Sequence, residues 1–237
     1  MVMEHLGAAG NHPENQDPLR QFAIAQAQRL LIEAGVTDPG RLQDSALHQT
    51  QEVRAEIIHF SDESRAALMG LGYLIYPLTG KSIKSLRDEG NRFWTDWHRA
   101  YPTLESLASG LSEVAINPNE LFLPNSNNKT LAEQEALIGN FDKALRTKKR
   151  IPGVSAILGE APDWAEVAFT HLEVTGERLF GEKYDYGFTR TKTRVESFSV
   201  LVGRFVADDG LSVDDSDPGL RHDSLWVSPL VVPSKIR

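Results

Sequence analysis

The sequence predicts an α+β domain in which a largely antiparallel sheet is covered by two main helices, with a helical region on its N-terminal side. Three observations predict this class. Helix-periodic segments fill residues 17–70, two well-signalled helices occupy residues 130–149 and 163–180, and β-prone runs dominate the last third of the chain. Helices followed by strands are typical of α+β folds, whereas a doubly wound sheet alternates the two.

The N-terminal part divides into a tail and a helical region. Residues 1–16 are polar and rich in Gly, Asn and Pro, which predicts a disordered tail. Within residues 17–70, apolar spacing predicts one helix from Pro18 and a second over residues 45–60. Ser61, followed by two acidic residues, predicts the N-cap of a third helix.

The α+β domain is predicted to span residues 71–237 and to begin with a short strand over residues 73–78. The segment Thr79–Ser82, with the sequence TGKS, then predicts a turn into a short helix. A phosphate-binding P-loop would need a glycine where Ile75 stands, so the sequence disfavours that motif. The helix N-terminus could still hold an anion with the help of Lys81.

A group of aromatic residues follows this short helix. Its members are Phe93, Trp94, Trp97 and Tyr101. The spacing of four between three of them predicts one face of a helix that packs against the core. A ligand pocket lined by the same rings is the alternative.

The two main helices carry recognisable start signals. The first, over residues 130–149, opens with the capping box Thr130-x-x-Glu133. The second, over residues 163–180, begins with acidic residues behind a proline and contains Gly176 as a weak point. Both show an apolar stripe, so we expect both to pack on the sheet.

Strands are predicted around these helices and at the C-terminal end. The predicted ranges are 151–159, 184–195, 198–206 and 225–232. Residues 207–223 are rich in aspartate and are predicted to form a loop between the last two strands. Their spacing lacks the ligand pattern of an EF-hand, so weak Ca²⁺ binding and pairing with neighbouring cations both stay open.

Composition excludes several classes of function. The 237 residues carry a net charge of −8, which disfavours nucleic acid as a partner. The absence of cysteine excludes disulfides, thiolate zinc sites and cysteine nucleophiles, and the histidine spacings predict no metal site. No cofactor motif is present. Without an export signal or a long apolar run, a soluble cytoplasmic protein with no membrane partner is expected.

One face of the predicted strand over residues 184–195 combines aromatic and basic side chains. Alternate positions carry Tyr184, Tyr186, Phe188, Arg190, Lys192 and Arg194. Side chains on one face of a strand lie about 7 Å apart, so the three cations could clamp an anion with help from Tyr186. We expect the aromatic half to face the core and the basic half to emerge beside Asp208–Asp217, which could neutralise it instead.

His171 is the histidine with the most interesting position. It lies at the edge of the apolar stripe of the helix predicted over residues 163–180. Partial burial there would tune its pKa for acid–base chemistry. The alternative is a boundary residue that hydrogen-bonds to a neighbouring loop.

Two hypotheses of different classes follow. The first is a non-catalytic binding or interaction protein for a protein or a small anionic partner, because no standard catalytic motif is present. The second is an enzyme with a non-local site, with His171 as acid/base, Arg190 and Lys192 as anion clamps and Tyr186 as donor. The second requires these side chains to converge on one pocket. Neither predicts an oligomeric state.

Overall fold

Two four-stranded sheets and the helices packed on them make up residues 58–94 and 97–234, the part of the chain that the computed structural model describes. The α+β class is confirmed, with two sheets where one was predicted. The predicted tail over residues 1–16 and the first two predicted helices lie outside the described residues, apart from residues 58–60.

Five α-helices occur in the described residues. They are α1 (Asp62–Gly70), α2 (Ile83–Asp88), α3 (Pro102–Ser106), α4 (Leu131–Thr147) and α5 (Ala161–Thr175). Three of them, α1, α2 and α4, begin at a serine or threonine cap. The Ser61 hydroxyl accepts from the amide of Ser64 at 3.1 Å. Thr130 and Glu133 form the predicted capping box at the start of α4. These caps satisfy amides that would otherwise have no partner inside the helix.

The strands form two separate sheets. In chain order they are β1 (Leu74–Pro77), β2 (Glu113–Ile116), β3 (Val154–Leu158), β4 (Phe188–Val195), β5 (Phe198–Val206), β6 (Gly210–Ser216), β7 (Leu225–Trp226) and β8 (Pro229–Pro233). The first sheet has the order β1-β2-β8-β3 and is antiparallel throughout, with Ala156 opposite Val231. The second has the order β6-β5-β4-β7, and only the β4–β7 pair is parallel.

Helix α5 is the central element of the core. It contacts β1 of the first sheet and β4, β5 and β6 of the second, while α4 packs on β3. Trp164, Val167 and Ala168 on α5 are completely buried. Since a fully buried large apolar side chain contributes about 1.5–3 kcal/mol, this packing holds α5 firmly in place.

One predicted helix end and one predicted strand start differ from the structure because of the local backbone conformation. The helix predicted over residues 163–180 ends at Thr175, where Gly176 adopts a left-handed φ of 75° and donates its amide to the carbonyl of Leu172 at 2.8 Å. The strand predicted from Tyr184 begins at Phe188, because Asp185 and Tyr186 have φ values of 50° and 52°.

The predicted acidic loop over residues 207–223 is wrong in its middle part. Strand β6 crosses it, because Leu211 and Val213 are completely buried and pair with β5. The predicted strand over residues 225–232 also divides, since β7 joins the second sheet and β8 the first. At this division the amide of Ser228 donates to the Thr189 hydroxyl at 2.9 Å.

The aromatic group packs on the core as predicted, but without a common helix. Phe93, Trp97 and Tyr101 all contact the main core cluster. Trp97 lies in a 3-10 turn, and Phe93 forms an isolated bridge with Leu211. Trp94 is 41% exposed, and the guanidinium of Arg204 lies 4.1 Å from its ring centroid.

Candidate functional site

A cavity lies at the C-terminal end of α5, and we call it the His171 cavity. It has a volume of about 420 Å³, and its lining includes Pro118, His171, Arg178, Lys183, Tyr186 and Phe205. Gly176 stops the helix five residues after His171, so the chain turns back and residues 177–186 form the wall of the cavity. The volume is within the range of about 300–1,000 Å³ that is usual for small-molecule sites.

The imidazole of His171 is oriented by Tyr76 on β1. The Tyr76 hydroxyl and Nδ1 of His171 are 2.6 Å apart, and both residues are buried. Burial raises the pKa of Tyr76 to about 12, so the phenol stays protonated at neutral pH. Burial also lowers the pKa of His171; Lys183 acts in the same direction and Glu177 opposes it.

One tautomer of His171 leaves Nε2 as a donor. We assign the Tyr76 phenol as the donor to Nδ1, and this assignment puts the proton of the neutral imidazole on Nε2. Nε2 has no hydrogen-bond partner among the described residues. His171 therefore offers the cavity a donor, which suits an oxygen of an anion or a carbonyl.

Arg178 supplies unsatisfied donors to the same cavity. Its side chain is half-buried, and its buried Nε has no acceptor. Within residues 58–94 and 97–234, its guanidinium is engaged only with the ring of Phe205, 5.7 Å from the centroid. The described residues therefore provide no carboxylate that neutralises the charge of Arg178 beside the cavity.

Lys183 and Tyr184 attach the cavity wall to the loop after β2. Nζ of Lys183 donates to the carbonyl of Pro118 at 2.9 Å and to Oδ1 of Asn119 at 3.0 Å. The Tyr184 hydroxyl donates to the same carbonyl. The wall also carries Glu177 and Glu182, so cations and carboxylates alternate around the cavity.

The predicted site residues separate into two groups. The structure brings together His171 and Tyr186, which line the same cavity. Arg190 is completely buried in the second sheet instead. Its guanidinium donates to the carbonyls of Lys129, Asp217 and Leu220 at 2.8, 3.3 and 2.6 Å and to Oε1 of Gln134 at 3.3 Å. These bonds leave Arg190 unable to reach a ligand in the His171 cavity.

Lys192 and Arg194 are exposed on β4, away from this cavity. Nζ of Lys192 lies 3.8 Å from a carboxylate oxygen of Glu160. In the described part of the chain, neither cation forms an ion pair with a carboxylate of residues 208–217. Among the residues that the structure describes, Arg190 reaches this acidic segment through its bond to the main-chain oxygen of Asp217.

The TGKS turn binds an anion that the protein itself supplies. The carboxylate of Glu166 on α5 accepts from the amide and hydroxyl of Thr79 at 2.6 and 2.7 Å, and from the amide of Lys81 at 3.0 Å. Glu166 is buried, so this pairing connects α5 to the turn before α2. The same amides are no longer available to an external phosphate.

Sequence reasoning missed Arg178, Lys183 and the role of Tyr76. The signal for the first two was Gly176, since a helix stop at this glycine turns residues 177–186 back towards His171. Tyr76 is 95 residues from His171 in the chain, and no local pattern connects them.

Neither metal geometry nor similarity to known proteins identifies the site. No group of three His, Asp or Glu side chains in residues 58–94 and 97–234 is arranged to hold a metal ion. Every helix in these same ranges is too short or too polar to cross a membrane. No family model, curated protein or solved structure matches the chain.

Proposed function

We propose that this protein binds a small anionic molecule in the His171 cavity. The observation that carries the proposal is Arg178, a half-buried arginine that lines the cavity and whose guanidinium has no acceptor or ion pair among the described residues. A guanidinium binds carboxylate or phosphate oxygens through two parallel N–H donors. The proposal keeps the small anionic partner expected from the sequence and moves its binding site from β4 to the end of α5.

His171 and Tyr186 support the same ligand chemistry. Nε2–H of His171 and the hydroxyl of Tyr186 are neutral donors that can complete the coordination of an anion's oxygens. Lys183 adds a positive charge at the rim, although two of its donors are already used. Glu177 and Glu182 also line the cavity, and their charges restrict the anions that can enter.

Thermal denaturation of the full chain in increasing inorganic phosphate or citrate tests this proposal. At 100 times Kd, binding adds about 2.7 kcal/mol to the stability. For a chain of this size that raises Tm by about 5–11 °C. The variant Arg178→Met is expected to lose this rise, whereas Arg194→Met, which removes the same charge from β4, is expected to keep it.

Two results would contradict the proposal. A rise in Tm that Arg194→Met abolishes and Arg178→Met preserves would locate anion binding on β4. The absence of a rise with either anion at high concentration would argue against an anion site in the His171 cavity.

Acid–base catalysis by His171 is the second candidate function. It is favoured by one observation, namely that His171 and Tyr186 line one cavity. Catalysis as a base at Nε2 would require the proton on Nδ1 and an acceptor role for the Tyr76 oxygen. Release of p-nitrophenol from p-nitrophenyl phosphate by the wild type, but not by His171→Gln, would support catalysis over binding alone.

A further inference from the structure

A second cavity lies next to the His171 cavity, and we call it the Trp226 cavity. It has a volume of about 440 Å³, and its lining includes Phe122, Asn127, Lys183, Asp185, Asp223 and Trp226. Tyr184 and Lys183 border both cavities. A ligand that is longer than either cavity could therefore reach both around the turn at residues 182–184.

The floor of the Trp226 cavity is aromatic. The rings of Phe122 and Trp226 are stacked, with centroids 5.4 Å apart and an interplanar angle of 17°. Both rings are partly exposed. A Cβ on Gly187 would lie 3.0 Å from Phe122 and 3.2 Å from Trp226, so a larger residue here would displace these rings by a few tenths of an ångström.

The rim of the Trp226 cavity is rich in hydrogen-bond acceptors. Asp185 and Asp223 are exposed carboxylates, and the side chain of Asn127, which also lines the cavity, donates to the main-chain oxygen of Asp223 at 3.2 Å. Ionised carboxylates only accept hydrogen bonds, so they favour a ligand with several hydroxyl donors. The two negative charges of Asp185 and Asp223 outnumber the single positive charge of Lys183, so they disfavour a phosphate or carboxylate group of a ligand in this cavity.

The backbone between the two cavities is strained. Asp185 and Tyr186 are consecutive non-glycine residues with φ values of 50° and 52°. A left-handed conformation costs a residue such as Tyr186 about 1–2 kcal/mol and costs an aspartate less. With this backbone conformation, Asp185 lines the Trp226 cavity and Tyr186 lines the His171 cavity. Strain of this kind concentrates at ligand-binding sites.

We infer that the two cavities form one site for an anionic saccharide. The sugar ring packs on Phe122 and Trp226, and its hydroxyls donate to the carboxylates of Asp185 and Asp223. The phosphate or carboxylate of the ligand lies in the His171 cavity against Arg178. This inference rests on the proposed function and adds the class of ligand to it.

Isothermal titration calorimetry of the full chain tests the inference with defined probes. Glucose 6-phosphate or glucuronate is expected to bind at least about tenfold more tightly than inorganic phosphate or glucose, and the stronger of the two identifies the anionic group. Trp226→Ala is expected to remove this advantage, and Trp94→Ala, which truncates an exposed tryptophan elsewhere, to preserve it. Asp185→Asn provides a second variant at an exposed position and is expected to weaken sugar binding without changing phosphate binding.

Three outcomes would overturn the inference. Equal affinities for glucose 6-phosphate and inorganic phosphate, both lost in Arg178→Met, would leave the proposed function intact and remove the saccharide. Binding of adenosine monophosphate at least about tenfold tighter than ribose 5-phosphate, dependent on Trp226, would show recognition of a base. Failure of every probe to bind would count against both proposals.

Discussion

The substitution Arg190→Met tests whether Arg190 stabilises the fold or binds a ligand. Arg190 is completely buried and donates four hydrogen bonds. Their acceptors are oxygens of Lys129, Gln134, Asp217 and Leu220. Methionine has a similar length and no donor, so the acceptors would lose their partner while the volume is largely kept. We expect a large loss of stability and a folded variant.

The magnitude follows from the two short bonds, at 2.6 and 2.8 Å. A hydrogen bond from a charged group contributes about 1.5–3 kcal/mol, so these two contribute about 3–6 kcal/mol. Burial of the guanidinium opposes this gain, and the same desolvation lowers the pKa of Arg190 while Asp217 acts to raise it. The expected loss in the free energy of unfolding is therefore about 3–5 kcal/mol.

Urea denaturation measures this difference directly. With a slope of about 2–3 kcal/mol per molar urea, the midpoint of Arg190→Met should fall by more than about 1 M. Arg194→Met removes an exposed cation from the same strand and should change the stability by less than about 0.5 kcal/mol. A loss below about 1 kcal/mol in a folded Arg190→Met protein would refute the assignment of Arg190 as a buried structural residue.

Three further predictions concern stability. Glu166→Gln replaces one of the carboxylate oxygens that accept from the TGKS turn with an amide donor that faces the N–H of Lys81. The free energy of unfolding from urea denaturation should fall by about 2–3 kcal/mol, and an unchanged midpoint would contradict this. Thr130→Ala removes the N-cap of α4 and should cost about 1 kcal/mol, with Thr130→Ser as the control that keeps it. Folding lowers the pKa of His171, so the native state binds fewer protons than the unfolded state just below about pH 6.5, and stability is lost as the pH falls through this value. The Tm of the wild type should therefore decrease more between about pH 7.5 and 5.5 than that of His171→Gln, and parallel curves would contradict the shift.

The elements that the sequence predicts well carry local signals. Ser61 and the Thr130–Glu133 capping box mark helix starts, and the structure has helices beginning at the next residue in both cases. These signals act within one helical turn, so they are visible in the sequence. The α+β class is predictable for the same reason, because the order of helical and β-prone segments needs no tertiary information.

The position of Arg190 could not be predicted from strand alternation. The pattern groups Arg190 with Lys192 and Arg194 on one face, but only the latter two are exposed. Residues 191–195 still alternate between buried and exposed, but the end of the face that carries Arg190 is covered by segments that contain Lys129, Asp217 and Leu220. The carbonyl oxygens that accept hydrogen bonds from Arg190 belong to residues that are 27–61 positions away in the chain.

The candidate site was predictable in part. His171 was singled out from its place at the edge of an apolar stripe, and Tyr186 from the aromatic face of the predicted strand, and both line one cavity. Arg178 was not singled out, because the helix was extended through Gly176 to residue 180. The partner that orients His171 could not be predicted, since β1 meets α5 only through the tertiary fold.

Side-chain ¹H–¹⁵N NMR of His171 tests the central claim of an anion-binding donor at the end of α5 most directly. The signals are assigned by their loss in His171→Gln. We expect a neutral imidazole with its proton on Nε2 in the free protein. We also expect titration with phosphate to shift the signal of that nitrogen in the wild type but not in Arg178→Met. A proton on Nδ1, or a His171 signal that phosphate leaves unchanged while it binds elsewhere, would contradict the account.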